Sequence, residues 1–467
     1  MKKNKLINIS VFIIFLIFSL LVGSKHEPWV DEAQSWIIAR DATVGEIVWD
    51  LSRYEGTMPL WQLTLKIFIS CGLTYEYFYI IPILISLAGL IVFLKEVDVP
   101  NYVKILLPFT YYIFYQYTII ARSYCYLLLA FSLLLITYKN RMNKPLSYIL
   151  ALIFISFISM HGTIIFFILG ILFFVEKLKQ KELKCCIKEM FLFSITCIIE
   201  AIILFPSSDL YMTVSAVFPI IEIMKAIGQV ITGTGNIFEI LYNIVAFLII
   251  FYFFIKACFI KNKDLFIVTI SVFLFMFIIR FANHHGGIIF YLMIFGILTY
   301  YNELKDKSKY FEKIFSIALI LYCIFSIQCG FKDFYQEYSG SKEMAQYIKE
   351  NNYDQKNIYG FGFLDVSLQP YFEENLYKNM DEAIYRWSIN NKDFYTYCNI
   401  IYYNITDFKD VPEYIVINWD ESGQKWIKIN DMIMKSNKYE VEYKTMGEKF
   451  FKNHIDGTEG FILYKLK

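Results

Sequence analysis

The stretch after the first apolar segment, KHEPWVDEAQSWIIARDATVGEIVWDLSRYEGTMPLW (Lys25 to Trp61), carries the acids best placed to do chemistry. Asp31 and Glu32 stand side by side shortly after Gly23, and Glu55 closes the loop. Carboxylates held beside aromatic residues at a membrane surface are suited to taking a proton from a hydroxyl. They are equally suited to gripping a divalent cation such as Mg or Mn, here through Asp31 and Glu55. His26 and Trp29, just ahead of the pair, are candidates to line the same pocket. A plainer reading competes: Asp31, with Glu32 and Gln34, caps and solvates a helix running through Ser35 to Arg40.

Hydropathy supplies the elements that must hold these residues. Of the 467 residues, 57% are hydrophobic and 19% aromatic, and the charges gather in short clusters between long uncharged runs. A water-soluble fold cannot bury that much apolar surface. Runs at about 6–23, 77–94, 105–121, 123–138, 146–160, 162–176, 189–205, 237–255, 265–282, 286–301 and 314–330 predict eleven membrane-spanning helices. The stretch 58–73 carries Gln62 and Lys66 and reads as a helix lying at the interface. With it left out of the spans, twenty Lys and Arg fall in the loops of one side against seven in the loops of the other before the tail. Basic residues favour the cytoplasm, so the N-terminus is expected inside and the C-terminus outside, in a multi-pass protein of the cell membrane. No small-x-small cleavage site follows the first run, which is expected to be retained as a helix.

From Phe331 the composition turns polar. A helix-like segment (341–351) and strand-like segments (357–363, 413–418, 439–446 and 461–466) predict an extracytoplasmic α/β domain over 331–467, after a membrane module over 1–330. The net charge of +1, without a basic stripe, gives no footprint for nucleic acid. Nine cysteines without a CxxC indicate neither a metal site nor a disulfide framework. Tyr111, Tyr112, Tyr115 and Tyr117 read as an interfacial belt, and Lys177 to Lys188 as a solvated loop against anionic lipid.

The order of an apolar helix, then H-x-P-W-x-D-E-A-x-x-W-x-I-A-R, then Y-E-G-x-x-P-L-W, resembles the C-type (GT-C) glycosyltransferases. Their superfamily includes protein O-mannosyltransferases and the aminoarabinose transferase of lipid A, and the likeness is greatest to bacterial members of family 39. It covers the membrane half and is most specific over Lys25 to Trp61. Many relatives have His or Lys in the second motif, where this chain has Gly56, Thr57 and Met58 before Pro59. The resemblance implies that Asp31 is the catalytic carboxylate, that Glu55 is an active-site or cation ligand, and that the sugar comes from a polyprenyl-phosphate carrier on the outer face.

That implication gives a role to basic residues that parity places on the same side: Arg122, His161, Arg280, His284 and His285. A lone interfacial Arg is ordinarily a snorkelling anchor and a lone His a satisfied polar group. Gathered on one face, Arg122, Arg280, His284 and His285 would stabilise a departing phosphate, with His161 lining the pocket. The expectation is an inverting glycosyltransferase that moves a sugar to a hydroxyl of a glycan, lipid or protein acceptor at the cell envelope. Two rivals stay open. A flippase of lipid-linked saccharides should carry ionisable groups at mid-membrane, where Glu200 is the only acid well inside a run. An inert scaffold would have no reason to keep Asp31, Glu55, Arg122 and His285 on one face.

Overall fold

The computed structural model describes residues 2–210, 224, 227–231, 237–260, 263–279, 283–361, 363–388, 411–419, 430–431, 433–452 and 454–467. The apolar runs become helices at Lys2–Gly23, Ile80–Glu96, Leu127–Tyr138, Pro145–Ser156, Met160–Lys179, Ile187–Ile203, Ile237–Cys258, Asp264–Ile279, Gly286–Thr299 and Phe311–Tyr335. Large apolar side chains stand exposed on them at helical spacing, as with Leu241, Val245 and Leu248, or Ile317, Ile320, Ile324 and Ile327. Such faces are stable against lipid and not against water, so this is a helical membrane protein.

Length corrects the expected eleven spans. Among the described residues five stretches are long and apolar enough to cross a bilayer: Asn4–Gly23, Tyr75–Glu96, Met160–Lys179, Ile237–Cys258 and Phe311–Tyr335. A sixth arises if Asn283–Thr299 and Tyr301–Lys307, bent by 69°, count as one. Pro145–Ser156 has 12 residues, a rise of about 18 Å against a hydrocarbon core of about 30 Å. The run 105–121 is not one helix at all. Pro108 lacks an N–H, and the chain there passes from a short helix (Asn101–Leu106) through a tight turn (Leu107–Phe109) into π-wound turns over Tyr112–Ile119. Tyr111, Tyr112, Tyr115 and Tyr117 are 0–1% exposed, so they belong to the core and not to an interfacial belt.

Two further expectations change with packing. Lys177 is buried, donating to the Met142 carbonyl and to Glu182, so its loop is not a freely solvated one. The 58–73 segment is a helix of 11 residues, Leu60–Ser70. Its Lys66 donates to the carbonyls of Ala39 and Ala42, where the helix Val30–Asp41 ends and a cation is favoured.

Helix Phe311–Tyr335 carries the chain past residue 330, so the polar region follows from Gln336. There the helix Ser341–Glu350 packs Met344, Ala345 and Ile348 against Ile358, Val416 and Leu463 of a four-stranded sheet. Its strands are β1 (Ile358–Gly360), β2 (Tyr414–Trp419), β3 (Tyr439–Thr445) and β6 (Gly460–Leu466), in the order β1-β2-β6-β3. The β1–β2 pairing is parallel and the others are antiparallel, a small α/β region as expected. A separate hairpin of β4 (Glu448–Phe451) and β5 (His454–Thr458) leaves this sheet and enters the helical module. There Phe450 stacks on Tyr115 and Phe451 meets Tyr111 edge-on. Lys452 at its tip donates to the Val230 carbonyl at 2.7 Å and to Asn243 at 2.8 Å, locking tail to module.

Candidate functional site

The site begins at the N-terminus of helix Val30–Asp41. Trp29 is extended, and Glu32, three residues on, turns back to accept from the Trp29 amide at 3.1 Å. Glu32 also accepts from the Ala121 amide and from His26 Nε2, the latter at 3.1 Å, and is fully buried. His26 Nδ1 meets Asp333 at 3.3 Å. Burial alone would depress the imidazole, but Glu32 and Asp333 outweigh it and push its pKa up to about 10. His26 is thus a fixed imidazolium between two acids, and Glu32, expected beside Asp31 as a catalytic carboxylate, has both oxygens engaged as a clamp. This clamp ties the loop to the chain just before Arg122.

Asp31, the next residue along the helix, faces the other way. Its carboxylate takes Arg122 Nη1 at 2.6 Å, and the two side chains remain 26% and 27% exposed. Arg122 Nη1 lies 3.5 Å from His284 Nε2, and its guanidinium sits 5.7 Å from the centre of the Tyr124 ring. Tyr117 donates to the His284 carbonyl at 2.6 Å. A methyl group on Gly287 would collide with that Tyr117 hydroxyl, so the glycine permits the contact that places the histidines. His284 and His285 are 4.3 Å apart between ring centres, and His285 and His161 are 4.5 Å apart. Both ring nitrogens of buried His161 lack a hydrogen-bond partner among the described residues.

Glu55 completes the cluster through Gln34, whose amide donates to Glu55 at 3.3 Å and to the Tyr385 carbonyl at 2.6 Å. Burial, reinforced by Asp31 and opposed by Gln34 and Arg122, pushes the Glu55 carboxyl up to about 7. Gly56 follows with φ of +63°, the left-handed turn that ends the helical turn Ser52–Glu55. The structure therefore brings Asp31, Glu55, Arg122, His161, His284 and His285 together. Arg280 lies outside the described residues. Trp29 packs beneath Lys449 of β4, 4.6 Å from ammonium to ring centre, as part of the roof formed by the tail. Glu459 extends that roof, accepting from the Val30 amide at 3.3 Å.

Sequence reasoning gave Gln34 and Tyr117 other roles and missed Tyr124, Asp333 and Glu459. Gln34 stands one helical turn after Asp31, and the two tyrosines flank Arg122, signals that were available. Asp333 and Glu459 come from distant sequence and had none. The arrangement offers one carboxylate to take a proton and a guanidinium, beside imidazoles, to hold an anion. Arg122 already pairs with Asp31, so a cation held by Asp31 and Glu55, as the sequence suggested, would share that acid with the guanidinium. Among the described residues no group of three or more His, Cys, Asp or Glu could hold a metal. No protein-family model, curated protein or solved structure matches this chain.

Proposed function

We propose that the chain is a membrane glycosyltransferase that moves a sugar from a polyprenyl-phosphate donor to an acceptor hydroxyl at the cell envelope, with inversion. The observation that carries the reading is the Asp31–Arg122 pair, about a quarter exposed, backed by His284 and His285 and roofed by the C-terminal domain. In the reaction, Asp31 takes the proton of the acceptor hydroxyl as its oxygen attacks the anomeric carbon. The bond from that carbon to the phosphate oxygen breaks, and its electron pair leaves with the phosphate. Arg122 then has two suitors. The incoming phosphate competes with Asp31 for the guanidinium, so donor binding unmasks the base and recruits the cation to the leaving group in one exchange.

In this reading the site faces outward, with a cytoplasmic N-terminus and an extracytoplasmic tail, although the positive-inside count that suggested this sidedness was made for eleven spans. The test is transfer from a synthetic polyprenyl-phosphate sugar by the detergent-solubilised full chain, after deletion of the gene has identified the envelope glycan that is lost. Asp31→Asn is expected to lower turnover by about 10²- to 10⁴-fold and to leave donor binding intact. Full turnover at saturating donor would show that Asp31 binds and does not catalyse.

A further inference from the structure

A cavity of about 340 Å³ lies one residue away from the Asp31–Arg122 pair, at the joint between the first loop and the C-terminal domain. It is lined by Glu27, Glu32, Tyr75, Ala121, Lys342 and Tyr371, among others. The Ala121 amide donates to Glu32, and that bond partitions the cavity from Asp31 and Arg122, their respective sequence neighbours.

The polar groups here are unevenly satisfied. Glu27 Oε2 and Tyr75 Oη are both shielded from solvent and have no partner among the described residues, and Tyr75 is 7% exposed. Groups left unmet in this way cost stability that a bound ligand can restore. His26 also lines the cavity, but both its nitrogens are spent on Glu32 and Asp333. Burial and the neighbouring Glu337, opposed by Lys342, push the Glu27 carboxyl up to about 7, so near neutral pH it can accept from a hydroxyl or donate to one. Tyr75 and Tyr371 meet edge to face at 5.0 Å, giving the cavity an aromatic flank.

This combination disfavours the charged ligands. A phosphate needs paired cationic donors, and of the cavity's lining cations His26 is engaged by Glu32 and Asp333, which leaves Lys342 opposite Glu27. A metal needs a ligand cluster, and none exists among the described residues. What remains is a neutral, hydroxyl-rich ring whose C–H face packs on an aromatic side chain.

We propose that this cavity binds one sugar residue of the acceptor, with Glu27 and Tyr75 hydrogen-bonded to its hydroxyls and Tyr371 against its face. The proposal rests on the glycosyltransferase reading only in naming that sugar as part of the acceptor. The Glu32–Ala121 bond separates the cavity from Asp31, so the unit held here is not the one that reacts.

The test is calorimetric titration of the detergent-solubilised full chain with methyl glycosides of glucose, galactose, mannose and N-acetylglucosamine. Tetramethylammonium and inorganic phosphate serve as counter-probes. At least one glycoside should bind, with a dissociation constant on the order of millimolar. Tyr75→Phe keeps the ring packing and Glu27→Gln keeps the shape, and each should weaken that binding about tenfold without lowering the melting temperature. Asp31→Asn should leave it unchanged. The proposal is overturned if no glycoside binds, if either counter-probe binds in preference, or if Asp31→Asn abolishes glycoside binding while Glu27→Gln does not. Glycoside binding that is weakened by Tyr75→Phe in a chain devoid of transfer activity would uphold the cavity and sink only the transferase reading. Active transfer with an acceptor KM unmoved by Glu27→Gln would do the reverse.

Discussion

Helix Met160–Lys179 joins two arginine-centred clusters, His161 in its first turn touching one and Glu176 near its end touching the other. They differ in how completely their charges are met. Arg141 donates to the Tyr138 carbonyl and to Glu176, lies 3.5 Å from Asp264, and sits 4.2 Å over the Tyr138 ring with its side chain 10% exposed. Among the described residues Arg122 has one carboxylate at 2.6 Å, a side chain 27% exposed, the His284 imidazole at 3.5 Å and the Tyr124 ring at 5.7 Å. A guanidinium enclosed by partners is a fastening. One held by a single acid among the described residues, in a cluster with His284 and His285, is poised to exchange that acid for an anion.

The sharpest way to break this contrast is Arg122→Gln. If Arg122 serves the leaving group, turnover should fall by about 10²- to 10³-fold, on the order of 3–4 kcal/mol, with less effect on donor binding. Arg122→Lys should recover part of the loss, since an ammonium keeps the charge without the planar fork. Equal losses in donor affinity and turnover, measured by titration against single-turnover rates, would reduce Arg122 to a binding group.

Arg141→Ala should act on stability instead. Removing it strands Asp264 and Glu176, and because Glu176 is partly solvated the cost is expected at about 2 kcal/mol, read from the unfolding transition in detergent. Turnover per folded molecule should not move; if it does, the two clusters are not separable.

Glu55 tests the open cluster by pH. Its carboxyl is raised from 4.5 to about 7, so the folded state binds the extra proton between those values. Stability from this group is full below pH 4.5 and is lost as pH rises through 7, by an amount on the order of 1 kcal/mol after solvent screening. Glu55→Gln should flatten that slope in thermal unfolding across pH 4 to 8, and an unchanged slope would assign it to other groups. The smallest effect expected is that of a chelator: with Arg122 occupying Asp31, removal of divalent cations should leave transfer unchanged, and a loss restored by Mg or Mn would return the cation to Asp31 and Glu55.

Much of this was legible in the residues. The strands Tyr414–Trp419 and Gly460–Leu466 lie where alternating and apolar runs placed them, and the loop acids stand at a helix start as spacing required. The number of spans was not legible, because hydropathy reports apolar composition while Pro108 and the packing of four buried tyrosines decide where helices break. Glu32 and Asp31 look alike in the motif, yet the rotation of about 100° between successive helix residues sends the first inward to His26 and Ala121 and the second outward to Arg122.

By itself, then, the sequence determined membrane character, the order of elements and the set of ionisable residues available, all of which follow from local pattern and from the transfer energy of side chains. Tertiary structure alone decided the partners: Asp31 with Arg122 across 91 positions, His26 with Asp333 across 307, and Val30 with Glu459 across 429. A residue's type limits what it can bond, but which partner it finds depends on chain segments brought together only when the core closes, and that closure is set by the whole chain at once.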